Sequence, residues 1–445
     1  VENWQAVVSV LTLVAIVVVF TTEWFDITIA TFLGALFLIF TNVISLREAI
    51  DYIARSDDTL ALLFGFMVLV RAWEQTGIFE YLATKIFLFT KGEGKRLLLT
   101  IVGITSLTSV FLPNAIAVII LAPLMPELAR QLTVNLAPLL ILLVLVANSA
   151  GLLTIFADRA TFIVADGINL NFTDYLWQVG LGGLFAVGTI TVMLPFLWKK
   201  IWKTRIEDFD RQRLPQIHAR NFLNSSGLII LGIGIFFIFT QLLNYDVSPT
   251  IYVLFTAALV VLSSHQNRMN LVNSIFQDID WSILIFFVSI FVVVGGLEKA
   301  GVVNGLSRII AAIFGTNIIF GLLILLFCSG IISTVIPSLP LVVAMLPLLK
   351  EYIVSVGLAN SSFLSSNFQG QLSVEALLLF YAMLFGVTLG GNGTAVGGIS
   401  NVIAVNYSER QGNRISFKNF LHYGIPVMLL QLVAIALYLL VRFII

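Results

Sequence analysis

Two apolar stretches of this sequence are each broken at their centre by a proline followed by a small polar residue. The first runs from Ser109 through Pro113-Asn114 and the second from Ser333 through Pro337-Ser338. Proline lacks an amide hydrogen and clashes with the preceding turn, so a helix stops there and another starts. The amides that open the new half-helix have no intrahelical acceptor and carry the positive end of its dipole, which is a natural seat for an anion. Two other segments, residues 151–161 and 390–401, gather Gly, Thr, Ser and Asn inside apolar surroundings. There Gly390, Gly391, Gly393, Gly397 and Gly398 permit close backbone approach, while Thr154, Thr161, Asn392, Thr394, Ser400 and Asn401 offer neutral hydrogen bonds. Unwound backbone of this kind suits a cation or a small oxyanion, with Na+ reading best near Asn114, Thr154, Asn392 and Thr394. Close helix packing uses the same small residues, and both readings stand for Gly397 and Gly398. Ionisable side chains at membrane depth are costly and therefore informative. Asp158 could take a proton or ligate a cation and Arg159 could hold an anion, or the two could pair and keep the break open.

The elements that must carry these residues follow from composition. Of the 445 residues 59% are hydrophobic and 11% charged, with a mean hydropathy of +1.03. Soluble domains carry about a quarter charged residues. The apolar runs are long enough to cross a hydrocarbon core of about 30 Å, and the short alternating strands of a membrane barrel are missing from the sequence. The fold class expected is an all-α polytopic membrane protein. Spans are expected near 6–20, 27–43, 59–73, 136–158, 174–198, 227–245, 249–264, 281–297, 374–400 and 424–443, with re-entrant hairpins near 97–131 and 317–354. The run over residues 7–20 reads as a retained span rather than a cleaved leader. Arg71 and Glu74 close the third span one turn apart, a spacing typical of an interfacial ion pair.

Residues 199–226 form the one long polar stretch and are rich in Lys and Arg. Placing this linker in the cytoplasm gathers Lys85, Lys91, Lys95, Arg96, Arg130, Arg268, Arg410, Arg414 and Lys418 on its side. Fewer basic residues, among them Arg47, Arg55, Lys299 and Arg442, fall on the other, as the positive-inside rule requires. Both termini then face outward, in a cell inner or plasma membrane. Lysines and arginines balance aspartates and glutamates, 24 against 24, so no basic field points to nucleic acid. Cys328 is the single cysteine, which excludes an internal disulfide and a cysteine metal cluster. His218, His265 and His422 fall in loops, and no Gly-rich nucleotide motif occurs. No enzyme, cofactor or resident metal is expected.

The halves repeat. SVFLPNAIAVIILAPL from Ser109 aligns with STVIPSLPLVVAMLPL from Ser333, matching Ser, Pro and Pro. GLLTIFADRAT from Gly151 aligns with GNGTAVGGISN from Gly391, and FTDYL from Phe172 with FKNFL from Phe417. The first unit is residues 1–198, with its hairpin near 97–131 and its broken helix near 136–168. The second is residues 227–445, with hairpin 317–354 and broken helix 374–401. Each unit holds five full crossings, an odd number, so the units are inverted, a build shared by many secondary transporters.

At these motifs the sequence resembles the ion transporter superfamily, in the branch of arsenite-pump membrane proteins, sodium/proton antiporters of the D type and the melanosomal P protein. Dicarboxylate/sodium symporters are more distant. The likeness is carried by DDTLALLFGFMVLVRAWEQTGIFEYLA from Asp57, SVFLPNAIAVIILAP from Ser109, and LGGNGTAVGGISNVIA from Leu389 followed by ERQGNRISFKNFLHYGIPVM. It implies substrate held between hairpin tips and helix breaks, elevator-like movement, and roles for Asn114, Thr154, Asn392, Thr394 and Asn401. The sequence departs from the pattern at three places: Pro113-Asn114 and Pro337-Ser338 replace Asp-Asn-like tips, and Ala157-Asp158-Arg159-Ala160-Thr161 replaces Gly-Asp-Pro-Pro-Asn. Two carboxylates are lost and one arginine gained. The function expected is therefore secondary transport of a small inorganic or carboxylate anion coupled to Na+ or H+. Arsenite efflux, Na+/H+ antiport and a channel on the same scaffold are the alternatives, and a homodimer is possible. The site residues expected are Ser109, Asn114, Thr154, Asp158, Arg159, Thr161, Ser333, Ser338, Asn392, Gly393, Thr394, Ser400 and Asn401.

Overall fold

The structure, a computed structural model, describes residues 3–22, 27–54, 57–155, 157–170, 172–206, 220–242, 249–266, 281–302, 318–364 and 372–444, with Ile275, Gln277 and Ile279. Among the described residues the chain is helical, with a single isolated bridge between Glu93 and Arg205. The first half contains α1 (Asn3–Thr22), α2 (Ile27–Phe40), α3 (Leu46–Ala54), α4 (Asp57–Glu74), α5 (Ile78–Phe89), α6 (Gly94–Phe111), α7 (Asn114–Leu121), α8 (Leu124–Gln131), α9 (Leu136–Ala150) and α10 (Arg159–Gly167). It continues through α11 (Phe172–Tyr175), a π turn (Leu176–Gly180), α12 (Leu181–Leu197) and the short α13 (Lys199–Lys203). The second half contains α14 (Arg220–Leu242), α15 (Pro249–Gln266), α16 (Trp281–Lys299), α17 (Ile318–Ser333), α18 (Ser338–Ser355), α19 (Val374–Gly390), α20 (Ile399–Arg410) and α21 (Phe417–Ile444).

Burial separates lipid-facing helices from central ones. On α1 the exposed apolar residues include Val7, Leu11, Val14 and Val18, with Trp4 and Val10 beside them, and on α21 Leu430, Val433, Leu437, Val441 and Ile444, with Leu429 beside them. These recur every three or four positions, so each helix turns one apolar stripe outward to hydrocarbon and packs the other inward. By contrast α9 and α19 are buried along nearly their whole length and on all sides. A helix that is apolar all round belongs in the centre of a bundle, and the two main hydrophobic clusters form around this pair. The Thr173–Leu197, Trp281–Lys299 and Phe417–Ile444 helices are each long and apolar enough to cross a bilayer. The chain is an integral, helical membrane protein.

Several boundaries differ from the sequence expectation. Helices α3 and α5 were not foreseen as separate elements. The first has nine residues and buries Ala49, and the second has twelve and packs on α8; both are too short to span. Helix α14 starts at Arg220, inside the stretch expected as linker, while residues 207–219 lie outside the described set. Helix α20 runs on to Arg410 before Gly412, at φ +74°, ends it. That left-handed conformation is open to glycine at no steric cost.

Packing interlocks the two halves. The first hairpin arm α6 lies on α9 and the corresponding arm α17 on α19, while each second arm touches both halves, α7 meeting α9 and α20, and α18 meeting α19 and α10. Outside this core α4 meets α15, and α2 meets α16. One hydrogen bond recurs at equivalent places. The Thr154 hydroxyl donates to the Val110 carbonyl at 2.7 Å, and that of Thr394 to the Thr334 carbonyl at 2.5 Å. Each ties a helix break to its own hairpin just behind the tip. The α17–α19 contact is so close that a Cβ on Gly390 would collide with the Gly330 carbonyl.

Helix α3 begins with a capping box. The Glu48 carboxylate accepts from the Ser45 amide (2.8 Å) and hydroxyl (2.7 Å), and Ser45 Oγ accepts from the Glu48 amide at 3.3 Å. Lys299, at the end of α16, donates to the same carboxylate oxygen at 2.7 Å. The Lys299 hydrogen bond, then those from Ser45, hold the Glu48 carboxyl down at about 2 against an ordinary 4.5. A depressed carboxyl contributes stability that is complete above its unfolded value and lost as pH falls through the folded one. Melting temperature should therefore fall between about pH 4.5 and pH 2. Lys299→Met should flatten that segment of the curve, and parallel wild-type and variant curves would refute the linkage.

Candidate functional site

The breaks meet at one place. A cavity of about 160 Å³ is lined by Pro113, Asn114, Ala115 and Ile116 from the first hairpin tip, and by Pro337, Ser338 and Leu339 from the second. The first broken helix supplies Asn148, Ala157 and Asp158. The second supplies Thr388, Gly391 and residues 396–400. The remaining wall is apolar, formed by Leu63 of α4 with Phe286, Phe287, Ile290, Phe291 and Val294 of α16.

The proline chemistry explains why helices end here. Leu112 is extended (φ −124°, ψ 145°), as a residue before proline prefers. Pro113 and Pro337 take nearly identical conformations, φ −52° and ψ 142° against φ −54° and ψ 150°. Each is the N-cap of the helix that follows, and neither helix receives a side-chain cap. Helix α20 also starts uncapped, at Gly398. At α10 the Asp158 carboxylate accepts from the Ala160 amide at 3.1 Å. Four helix N-termini thus surround one cavity, three of them without a side-chain cap. Their free amides can bind a small anion without any positively charged side chain. Among the described side chains lining the cavity, Asp158 is the ionisable one.

Behind the cavity lies a polar cluster buried between the halves. The Asn148 amide nitrogen donates to Oδ1 of Asn392 (3.0 Å) and of Asn401 (2.9 Å), and the Ser400 hydroxyl donates to Asn148 Oδ1. Asn392 donates to Ser149 Oγ at 3.1 Å and to Gln431 Oε1 at 2.9 Å. Gln431 donates to Ser149 Oγ at 2.8 Å and to the Ala186 carbonyl at 2.9 Å. Asn401 donates to the carbonyls of Gly391 (2.7 Å) and Thr394 (2.8 Å), pinning the unwound loop. The Thr394 hydroxyl accepts from the Gly397 amide at 3.1 Å.

The expected site residues therefore divide. Asn114, Asp158, Ser338 and Ser400 line the cavity. Asn392, Thr394 and Asn401 are committed to the network or loop, holding the backbone that forms the wall. Thr154 and Ser333 brace helix to hairpin, the latter through Val387 O at 2.5 Å. Ser109 and Thr161 are fully buried on α6 and α10, and Gly393 packs near Met428 and Thr334. The Arg159 side chain lies outside the described set. Gly391 and Gly397 cross within packing distance, since a Cβ on either would come 2.8–2.9 Å from the other's carbonyl oxygen. Asn114 Oδ1 sits over Gly151, shielded from solvent and accepting no hydrogen bond, and the Thr388 hydroxyl is likewise unpaired. Buried polar atoms in that state mark places for an ion or water. Sequence reasoning missed Asn148, Ser149 and Gln431. The signal was available, because each is a polar residue within an otherwise apolar span.

A narrower cavity of about 40 Å³ continues along the same four helices. It is lined by Met67, Val70 and Arg71 of α4, Ile119 and Ala122 of α7 with Pro123, Ile283 of α16, and Ile403 and Tyr407 of α20. At its end Arg71 pairs with Glu74 at 2.5 Å.

Residues 17–365 match the CitMHS citrate transporter family. The chain belongs to that family. Within the superfamily anticipated from the motifs, this CitMHS member is 49% identical over 438 residues to an uncharacterized transporter of Synechocystis sp., covering 98% of both chains. It is 28% identical over 389 residues to an uncharacterized transporter of Mycobacterium tuberculosis, covering 87% of this chain and 86% of that one. The P protein of Mus musculus, from the branch named by resemblance, is 24% identical over 502 residues, covering 94% of this chain and 58% of its own. The crystal structure of the Alcanivorax borkumensis YdaH transporter aligns over 88% of this chain and 86% of that one, with a TM-score of 0.39 and 14% identity. The protein is a membrane transporter.

Proposed function

We propose that this transporter moves a small inorganic or carboxylate anion by secondary active transport, coupled to Na+ or H+. The observation that carries the reading is the convergence of four helix N-termini, three of them without a side-chain cap, on one cavity. Their dipoles favour negative charge where no lysine or arginine is needed. The family's description as citrate transporters supports the carboxylate class. A coupling cation fits the unpaired Asn114 oxygen, and a proton or cation fits Asp158.

The motion proposed is an elevator. Hairpin tips and broken helices carry the anion as one body along the apolar face of α16 and the Leu63 side of α4. The narrower cavity on the same helices supports a passage towards the Arg71–Glu74 pair, on the side expected to be cytoplasmic. The matching pattern of hairpin contacts in the two halves supports inverted repeats.

Counterflow of radiolabelled citrate, succinate, phosphate or sulfate in proteoliposomes tests the reading. One of these anions should saturate and accumulate with an inward Na+ or proton gradient. Asn114→Ala should weaken the preferred anion's thermal shift about tenfold in half-maximal concentration, the order of one charge-assisted hydrogen bond. Single-channel currents in planar bilayers, or an anion shift untouched by Asn114→Ala, would overturn it.

A further inference from the structure

A second cavity of about 160 Å³ lies away from the transport site, where three helix ends meet. Its lining combines Gln178 of the π turn, Val374, Leu377, Leu378 and Tyr381 of α19, and Tyr438 and Arg442 of α21. Arg442 belongs to the last turn of a membrane-spanning helix and Val374 opens α19. Around them Trp177, Leu176, Val374 and Val441 are exposed. An exposed Trp beside half-buried Tyr and Arg at helix ends is the signature of the bilayer interface, so the mouth opens at headgroup level.

The polar groups are held in place but not used up. Tyr381 Oη donates to Gln178 Oε1 at 2.5 Å, and Tyr438 Oη donates to the Gln178 carbonyl at 2.7 Å. Arg442 Nε donates to Tyr438 Oη at 3.3 Å, and one terminal nitrogen donates to the Trp177 carbonyl at 2.5 Å. A guanidinium has five N–H donors in a rigid fork. Two are engaged and three remain, as do both donors of the Gln178 amide nitrogen. Both carbonyls that Tyr438 and Arg442 grasp belong to the π turn.

We propose that this cavity binds the phosphodiester of a phospholipid, with the phosphate on the free donors of Arg442 and Gln178 and an acyl chain along Val374 and Leu377. Guanidinium geometry matches a phosphate oxygen pair, and the apolar wall matches the chain attached to it. The site is linked to the transport cavity through α19, whose far end at Gly390 opens the second helix break.

The test is a melting-temperature titration of purified protein in a mild detergent, with native mass spectrometry counting retained lipid. Palmitoyl-oleoyl phosphatidylglycerol should raise the melting temperature and remain as a bound adduct. Diacylglycerol with the same chains should do neither. Arg442→Gln should weaken the phosphatidylglycerol response about fivefold, the size of one basic side chain at a membrane surface, while Arg47→Gln, a basic exposed position elsewhere, should leave it unchanged. Equal responses to phosphatidylglycerol and diacylglycerol in the wild type would overturn the proposal without any variant. So would an equal response to inorganic phosphate alone, which would make this a soluble-anion site, or an undiminished response in Arg442→Gln.

Discussion

Asn148→Leu is expected to destabilise the protein more than any other single change around the cavity and to abolish transport. The side chain bonds three partners on the opposite half, Asn392, Asn401 and Ser400. Leucine keeps the branched shape, with bulkier methyl ends, but leaves two amide oxygens and one hydroxyl unpaired inside the core. A buried polar group stripped of its partner costs roughly 1–3 kcal/mol. Membrane helices soften this, since single interhelical hydrogen bonds there average only about 0.6 kcal/mol, so a total on the order of 2–4 kcal/mol is reasonable. Asn401 pins the loop carbonyls of Gly391 and Thr394, so the loss should spread into the cavity wall and remove anion binding as well. Ser149→Ala, which orphans donors of Asn392 and Gln431 that retain other acceptors, should cost less. A leucine variant that melts within a degree of wild type and still transports would remove the network from any role in folding or function.

Asp158→Asn is expected to separate binding from coupling. An anion about 5 Å from this carboxylate would meet roughly 3 kcal/mol of repulsion at an effective dielectric of about 20, unless a proton or cation arrived with it. That repulsion is the physical origin of the coupling proposed here. Asparagine caps a helix as well as aspartate does, so the Ala160 amide keeps its acceptor and the fold should survive. The variant should bind the anion up to about a hundredfold more tightly, which is 3 kcal/mol converted to affinity. It should still exchange anion across the membrane but no longer accumulate it on a Na+ or proton gradient, and its rate should be flat with pH. Retained gradient-driven accumulation would move the coupling site away from Asp158.

The proline breaks were readable in the sequence because their effect is local. A residue without an amide hydrogen inside an apolar run dictates a helix end whatever surrounds it, and helices α7 and α18 start at Asn114 and Ser338 as the motifs required. The long apolar helices were readable for a similar reason, since hydrocarbon sets a minimum apolar length. Short α3 and α5 escaped because neither reaches that length, and the capping box Ser45-x-x-Glu48 was the cue left unused. The superfamily too was legible, in the motifs around Asp57, Ser109 and Leu389, whereas the citrate transporter family within it was not.

What the tertiary structure alone decided is which polar residues face the cavity and which face one another. Asn114, Asn392 and Asn401 look alike in sequence, each an amide at a break. In the fold Asn114 Oδ1 is shielded and unpaired at the cavity, whereas Asn392 and Asn401 are consumed by hydrogen bonds across the core. That assignment depends on partners more than 200 positions away in the chain, such as Asn148 and Asn392. Helix ends are written in local chemistry, but the pairing of buried amides is settled only when two distant halves close on each other and each polar group must find a partner or do without.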